Sequence, residues 1–462
     1  MPNDTQLLQR RTGDLKGPSQ LDALNEIDAN FDNIRAAWHH AVKQKNFAVV
    51  DAMIDGLFSF THLRARFTEG EELFELARQT LAPGPHEPPH PVWGRLLSRY
   101  ATVGTTSPEK RLLQALDIAR ATPNRAEEAH CLFELGQDKK WRQREFEAAL
   151  QLYQQALAVY QDLNDPAGIS STLGEIGGVY AQFGQAAEFE RYIQQALAIR
   201  QVMGDRIGTA ILLLSLAELA LATGDLGRAE TLGQESLSIF RVFGNQWGLY
   251  EGIAVLTVSF PAILRGDETL AEIEQLIDEA QALAQTYQHP VGMARTLMLQ
   301  GYLAARLEDY ARALQLGDMG QATAPQDPFQ WTLGSALRAY SHAGLGHYQE
   351  CDQCIHTALQ GALFFKVERV MQAFLPIAAL YVAYQQKQFQ RAAELYALAF
   401  SQADDVTQAQ QRWPLYVKLR QDLQVELSPE AYNAAWKHGK SLAVEEVVQE
   451  LLTEFGQSSE PR

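Results

Sequence analysis

AALQLYQQALAVYQDLNDPAG (148–168), AEFERYIQQALAIRQVMGDRIG (187–208) and RAETLGQESLSIFRVFGNQWG (228–248) are three passes over one pattern. Ala156, Ala196 and Ser236 stand 40 residues apart, as do Leu157, Leu197 and Leu237, and Gly168, Gly208 and Gly248. Each pass has apolar residues at helical spacing and is followed by a second apolar helix, ISSTLGEIGGVYAQFG (169–184) in the first instance. Short breaks recur at Gly184-Gln185 and Gly224-Asp225. A helical pair of this size cannot bury its apolar face alone and must stack on its neighbours, which makes the chain an all-α solenoid.

The same spacing extends outward. An offset pattern of 0, 3, 6 and 10 runs through Phe67/Gly70/Leu73/Ala77, Phe146/Ala149/Leu152/Ala156, Ala186/Phe189/Tyr192/Ala196 and Leu226/Ala229/Leu232/Ser236. It continues in Tyr310/Ala313/Leu316/Gly320, Tyr348/Cys351/Cys354/Ala358 and Phe389/Ala392/Leu395/Ala399. Offsets of 3, 6 or 7, and 10 keep to one helical face, and small residues there allow two helices to approach closely. The repeat at 267–292 carries about four extra residues, and 92–122 reads as a shortened, degenerate repeat. Residues 21–427 thus hold about eight or nine helical pairs.

The ends differ from the middle. Residues 1–20 are polar, contain Gly13, Gly17 and Pro18, and read as a flexible linker. From 21 to 42, Leu24, Ile27, Phe31, Ile34 and Trp38 fall on one helical face, with further helices near 47–63 and 67–81. Five prolines in LAPGPHEPPHPVW (81–93) exclude a helix and mark a surface loop. Residues 428–455 leave the period and read as a pair of capping helices, and 456–462 as a disordered tail.

Composition narrows the function classes. The 462 residues are 46% hydrophobic and 21% charged, with a net charge of −17. Such an acidic surface repels phosphate backbones and anionic lipid, so neither nucleic acid nor a membrane is expected as a direct partner. Three cysteines make no disulfide framework, and MPNDTQLLQRRTGDL lacks the apolar core of a signal peptide. The nearly charge-free run 252–264 is too short to span a bilayer and contains Pro261. The expected location is the cytoplasm.

The repeats resemble tetratricopeptide repeats in a longer form, with Leu135-Gly136 and Ile176-Gly177 at the first-helix Leu-Gly position and Ala149 and Ala156 at the small positions of the second. LDALNEIDANFDNIRAAWHHAV (21–42) followed by ARFTEGEELFELA (65–77) resembles the opening of the C-terminal sensor region of STAND signal-transducing ATPases and MalT-type regulators. SPEAYNAAWKHGKSLAVEEVVQELL (428–452) resembles the motif that closes such regions, with Trp436, Gly439, Leu442 and Glu445-Glu446 in matching places. The resemblance covers roughly 8–455 and implies a right-handed superhelix. It also implies an upstream winged-helix and NTPase module, absent from this chain, and a superhelix that binds a protein or small-molecule effector to relieve autoinhibition. Residues 1–20 are then the remnant of the linker to that module.

Motifs of catalysis dissolve on inspection. HEPPH (86–90) has the letters of a zinc-protease site, but Pro88 and Pro89 preclude the helix that aligns its histidines. HGKS (438–441) ends like a phosphate-binding loop, yet Ala434 stands where the first glycine belongs and no strand precedes it. Cys351 and Cys354 form a CxxC, but they fall in columns filled elsewhere by Ala and Leu and are expected as packed thiols. The glycines of GEIGGVY (174–180) follow no strand and mimic no dinucleotide fingerprint. No catalytic residue, metal or cofactor is expected.

The expected site is the concave face, which the first helix of each pair lines in this repeat class. By register its candidates are Lys140, Trp141, Glu175, Gln182, Glu218, Tyr250, Glu251, Arg295, Tyr302, Arg306, Trp331, Arg338 and Tyr340. Aromatic faces supply contact area, and Arg295, Arg306 and Arg338 suggest a local anion-binding patch. The expected ligand is a protein, peptide or small effector. A stand-alone scaffold bridging protein partners is the alternative.

Overall fold

The computed structural model describes residues 2–84, 86–103, 108–244, 253–266, 270–286, 290–365, 368–401 and 405–457. Among them are 25 α-helices and no strand. In order these are α1 (Pro2–Thr12), α2 (Gln20–Ala29), α3 (Phe31–Lys43), α4 (Phe47–Leu63), α5 (Phe67–Thr80), α6 (Pro91–Val103), α7 (Glu109–Ala121) and α8 (Arg125–Asp138). There follow α9 (Phe146–Asp162), α10 (Pro166–Gln182), α11 (Ala186–Met203), α12 (Arg206–Thr223), α13 (Leu226–Phe243), α14 (Ile253–Arg265), α15 (Leu270–Thr286) and α16 (Pro290–Arg306). The last are α17 (Tyr310–Thr323), α18 (Pro328–Gly344), α19 (Tyr348–Phe365), α20 (Glu368–Tyr384), α21 (Phe389–Ala399), α22 (Asp405–Gln410), α23 (Pro414–Glu426), α24 (Pro429–Gly439) and α25 (Val444–Gln457). A 3₁₀ turn spans Asp14–Lys16 and a π turn Lys139–Gln143. The fold is an all-α solenoid.

Local stop and start signals set the repeat. Arg144, Asn164, Gly184, Gly204, Gly224 and Gly244 all have positive φ and lie 20 residues apart. A left-handed residue closes a helix, and the residue after it is placed to cap the next one. Asp165 accepts from the N–H groups of Ala167 and Gly168 at 3.1 and 3.2 Å, Asp205 from Gly208 at 2.9 Å and Asp225 from Arg228 at 2.9 Å. Every offset-0 residue, from Phe67 to Phe389, is the first residue of its helix (α5, α9, α11, α13, α17, α19 and α21).

The chain forms two compact units, residues 1–213 with 238–247, and residues 214–237 with 248–462. Within the first, α8–α9 and α10–α11 are tightly packed pairs. Ala149, Tyr153, Ile176 and Val179 form a buried cluster against Phe133, Phe146 and Tyr192. A Cβ on Gly136 would lie 2.6 Å from the Tyr153 ring, so the Leu-Gly position requires glycine to admit the second helix. Within the second unit, α16–α17, α18–α19 and α20–α21 pair in the same way, and α24 and α25 pack on α19–α21.

Four expectations need correction. The small columns are buried, but in α9 and α11 the third column lies at offset 7, where Tyr153 and Ile193 are buried while Leu152 and Tyr192 are only half-buried; in α5, α19 and α21 the offset-6 residues Leu73, Cys354 and Leu395 are buried as expected. The segment 21–42 is two helices, because Asn30 leaves helical geometry and its side chain bonds back to the carbonyl of Glu26. Residues 2–20 are not a flexible linker. Helix α1 packs on α3 and α4, Leu8 and Leu15 are buried, and Gln20 bonds Asp205 and Ile207. Gly456 and Gln457 of the expected tail are helical.

The proline-rich stretch is non-helical up to Pro91, which starts α6, and residues 86–91 are exposed. Cys131, Cys351 and Cys354 are buried free thiols. Helix α12 is long and apolar enough to cross a membrane, and half of its apolar window is buried in the protein. Gly248, Tyr250, Glu251, residues 267–269 of the lengthened repeat and residues 458–462 lie outside the described residues.

Candidate functional site

The first unit carries a connected set of charges across its successive first helices. On α4, Asp51, Asp55, Phe58 and His62 follow at three- and four-residue steps, so they share one face. Arg95, Ser98, Arg99 and Thr102 do the same on α6, and Glu127, His130, Cys131 and Glu134 on α8. Helix α4 packs on α6 and α6 on α8, which brings the three rows side by side.

Arg99 is the hub and is 7% exposed. Its guanidinium reaches Glu127 at 3.1 Å and Asp55 at 3.0 Å, donates to Ser98 at 2.8 Å, and lies 5.3 Å from the centre of the Phe58 ring. Arg95 pairs with Asp51 at 2.5 Å and Asp55 at 2.7 Å. The Ser98 hydroxyl donates to Glu127. A buried charge survives only when paired and hydrogen-bonded, and the two buried members, Arg99 and Glu127, each have several partners. Burial works against ionisation of Asp55 and Glu127, but the arginines outweigh it and hold both carboxyls below their usual range.

Next to this satisfied centre lies an unsatisfied one. Burial, reinforced by Arg99, depresses His130 to about 3, so it is neutral at physiological pH. Its Nδ1 is 3.9 Å from Glu134, and its buried Nε2 has no hydrogen-bond partner among the described residues. Burial raises Glu134 to about 7, against the opposing hydrogen bond of Thr102 and the charge of Arg99. Burial likewise lowers His62 to about 4, and its Nδ1 faces the carbonyl of Phe58 at 2.9 Å.

The row continues to α10. The π turn at Lys139–Gln143 widens the end of α8, and left-handed Arg144 stops it. Buried Lys140 Nζ then sits 2.8 Å from Glu175 and 4.5 Å from the centre of the Trp141 ring. Trp141 is 64% exposed, and its indole N–H donates to Gln137, as does the hydroxyl of Tyr153. Of the sequence candidates, Lys140, Trp141 and Glu175 are thus brought together. Gln182 is exposed on the same helix as Glu175.

In the second unit the expected face is filled from within. Tyr302 and Tyr340 are 8% and 2% exposed and pack edge-on against Trp413, at ring-centre distances of 6.2 and 5.2 Å. The Trp413 indole N–H donates to the carbonyl of Leu264, the Tyr302 hydroxyl donates to that of Leu333, and the Tyr340 oxygen accepts from the N–H of Leu415. Neither tyrosine presents a surface to a ligand. The arginine patch is also largely spent. Arg338 pairs with Asp318 at 2.6 Å and donates to Gln321, and Arg295 lies 3.9 Å from Asp327. Arg306 is half-buried beside Gly266. Trp331, 51% exposed, and Glu218 remain on the surface.

Sequence reasoning missed Arg95, Arg99, Asp51, Asp55, Glu127, His130 and Glu134. Their signal was present as same-face spacing on α4, α6 and α8, but charged residues on a helix read by default as solvated. Among the described residues no group of three or more His, Cys, Asp or Glu is arranged to hold a metal ion.

Residues 168–241 match the family model of the tetratricopeptide repeat, a span that covers α10 to α13. No curated protein matches the chain. Among solved structures, one similar protein is a signal transduction ATPase with numerous domains (STAND) protein with a tetratricopeptide repeat sensor, from Pyrococcus horikoshii. It is 13% identical, with a TM-score of 0.40, over 84% of this chain and 55% of that one. The chain therefore spans little more than half that protein's length. Yeast Tom70 is 11% identical, with a TM-score of 0.36, over 89% of this chain and 97% of its own.

Proposed function

We propose that the chain is a non-catalytic recognition module, of cytoplasmic location, that binds a protein or peptide on the first-helix face of its first unit. A tetratricopeptide match within an all-α solenoid supports protein binding or a scaffold role in general. The observation that carries the finer reading is the continuous charged row from Asp51 on α4 to Glu175 on α10, with Trp141 exposed beside it. Four carboxylates, Asp51, Asp55, Glu127 and Glu175, stand against Arg95, Arg99 and Lys140, and Glu134 adds a fifth as it ionises. That balance favours a cationic or amphipathic partner, which the aromatic ring anchors.

In this reading the chain acts as the effector-binding sensor of a STAND-type regulator, in keeping with the resemblance of its two ends. An adaptor that bridges two proteins uses the same face and differs only in having no switch to relieve. The test is affinity capture with the purified 462-residue chain from a lysate of its source, followed by analysis of proteins and metabolites. A stoichiometric protein that is lost on Trp141→Ala supports recognition at this face. A retained metabolite that raises the melting temperature supports a small-effector sensor instead. Capture indifferent to both Trp141→Ala and Glu175→Gln removes the site from this face.

A further inference from the structure

The segment 2–20 is seated on the first unit in a way that its sequence does not require. Helix α1 is strongly polar, and among the described side chains of the segment only Leu8 and Leu15 are fully buried apolar residues. Leu8 and Thr12, one helical turn apart, both sit on Gly56 of α4. A Cβ there would lie 2.7 Å from Leu8 Cγ and 2.6 Å from Thr12 Oγ1, with no other group among its three nearest atoms. Thr5 faces Met53 one turn earlier on α4. Arg10 reaches Glu26 of α2 at 2.8 Å, and Arg11 also pairs with Glu26. Lys16 comes close enough to His130 to bias its protonation. The segment then ends at Gly17 and Pro18 against Met203 and Gly204, and at Gln20 against Asp205 and Ile207.

We propose that residues 2–19 are a displaceable strap that occupies in cis a helix-docking site of the first unit, built from Met53 and Gly56 of α4 with Glu26 as an acidic latch. The partner in trans is an amphipathic helix of the same stamp. It carries a leucine and a small residue one turn apart over Gly56, and an arginine pair toward Glu26. The proposal rests on the reading of the chain as a recognition module and names the chemistry of its partner. Its physical basis is an imbalance. The docking surface is preformed by scaffold helices, whereas the occupant holds on with two fully buried leucines, a half-buried Leu7 and partly exposed ion pairs to Glu26, which contribute little. A cis occupant acts at high effective concentration, so a partner must match its pattern to compete.

The probe is a fluorescein-labelled synthetic peptide of residues 2–19, added to the full chain and read by anisotropy, with hydrogen exchange followed by mass spectrometry. Three chains are compared: wild type, Leu8→Asp and Gly56→Ala. Leu8→Asp releases the strap but leaves the site intact. The peptide should bind it at least about tenfold more tightly than wild type, because the cis competitor is gone. A peptide that itself carries Leu8→Asp should bind no chain. Gly56→Ala puts a methyl group where Leu8 and Thr12 sit while favouring helix α4, so residues 2–16 should exchange at least about tenfold faster. That variant should nevertheless bind no peptide, because the methyl group excludes occupants in cis and in trans alike.

Four results overturn the proposal. One is unchanged exchange of residues 2–16 in both variants. Another is loss of protection across 47–63 and 125–138 together with 2–16, which makes the segment an integral part of the fold. The third is failure of the peptide to bind Leu8→Asp. A wild-type chain that dimerises by exchanging straps, seen by light scattering, makes a second copy the occupant and equally overturns the stated partner. Because the probe is the chain's own peptide, these outcomes do not depend on whether a cellular partner is captured.

Discussion

Replacing Glu134 by glutamine is the sharpest probe of the buried charge row. Glu134 is 13% exposed, and burial holds it protonated up to about pH 7. An ordinary glutamate titrates near 4.3. Between these two values the native chain keeps a proton that the unfolded chain has released. Stability therefore falls as pH rises through this window: the carboxyl costs nothing well below pH 4 and exacts its full penalty above pH 7. Linkage gives a penalty of about 1 kcal/mol at pH 5 and roughly 3.5 kcal/mol at pH 8, a difference of ~2.5 kcal/mol.

His62 and His130 act in the opposite sense. Their native pKa values, about 4 and about 3, lie below those of the unfolded chain, so their contribution is present above about 6.5 and lost as pH falls. In wild type the two trends partly cancel. The glutamine variant keeps the histidines and the Thr102 contact but removes the titration, so the difference between the chains isolates Glu134. A solenoid need not unfold in one step, so the readout must be local. Exchange of the amides of 125–138 is compared at equal pH in the two chains. Slowing in the variant should be roughly fiftyfold to a hundredfold greater at pH 8 than at pH 5, the ratio that ~2.5 kcal/mol implies. Parallel behaviour at both pH values would falsify a buried protonated Glu134.

Other consequences follow from packing. Trp413→Ala should destabilise the second unit by about 3–5 kcal/mol in denaturant unfolding, because it empties a site lined by Tyr302 and Tyr340 and orphans the carbonyl of Leu264. Gly136→Ala drives a methyl into the Tyr153 ring and should cost ~1–3 kcal/mol, whereas Gly13→Ala, which meets nothing within 4 Å, should stay within about 0.5 kcal/mol. Burial raises the pKa of Cys131, Cys351 and Cys354, so alkylation at pH 8 should leave all three untouched in the folded chain and modify them only after denaturation. Modification of Cys351 and Cys354 within the folded chain would contradict their packing.

What was legible in the sequence was what is decided locally. The stop at Gly184, the cap at Asp205 and the small pair Ala149 and Ala156 each act within one or two helical turns, so the 40-residue period and its helix starts could be read directly. What depends on a distant partner could not. Tyr153 rather than Leu152 fills the core column because the facing helix presents Gly136 at that height. Three leucines, Leu7, Leu8 and Leu15, in an otherwise mostly polar stretch gave 1–20 no visible apolar face; its docking depends on Gly56 and on Asp205, which is 185 residues from Gln20. Arg99 and Glu127 looked like ordinary solvated charges until α6 and α8 were placed side by side. Tyr302 and Tyr340 were read as ligand-facing because Trp413, which covers them, lies beyond Ala399, the last residue of the offset pattern.

Each unit, taken by itself, has a first-helix face already met by another part of the chain, and the two arrangements differ in kind. Trp413 is 3% exposed, its one polar atom is satisfied, and aromatic rings surround it, so removing it exposes a large apolar surface. No ordinary peptide competes with that. The segment over the first unit is mostly polar, and the charged row nearby leaves Trp141 64% exposed and Glu134 able to gain or lose its proton near neutral pH. A recognition surface must be exchangeable at modest cost, and its chemistry must remain incomplete until the partner arrives. Only the first unit meets both conditions, which is why the site is proposed there even though most of the sequence candidates lay on the other unit.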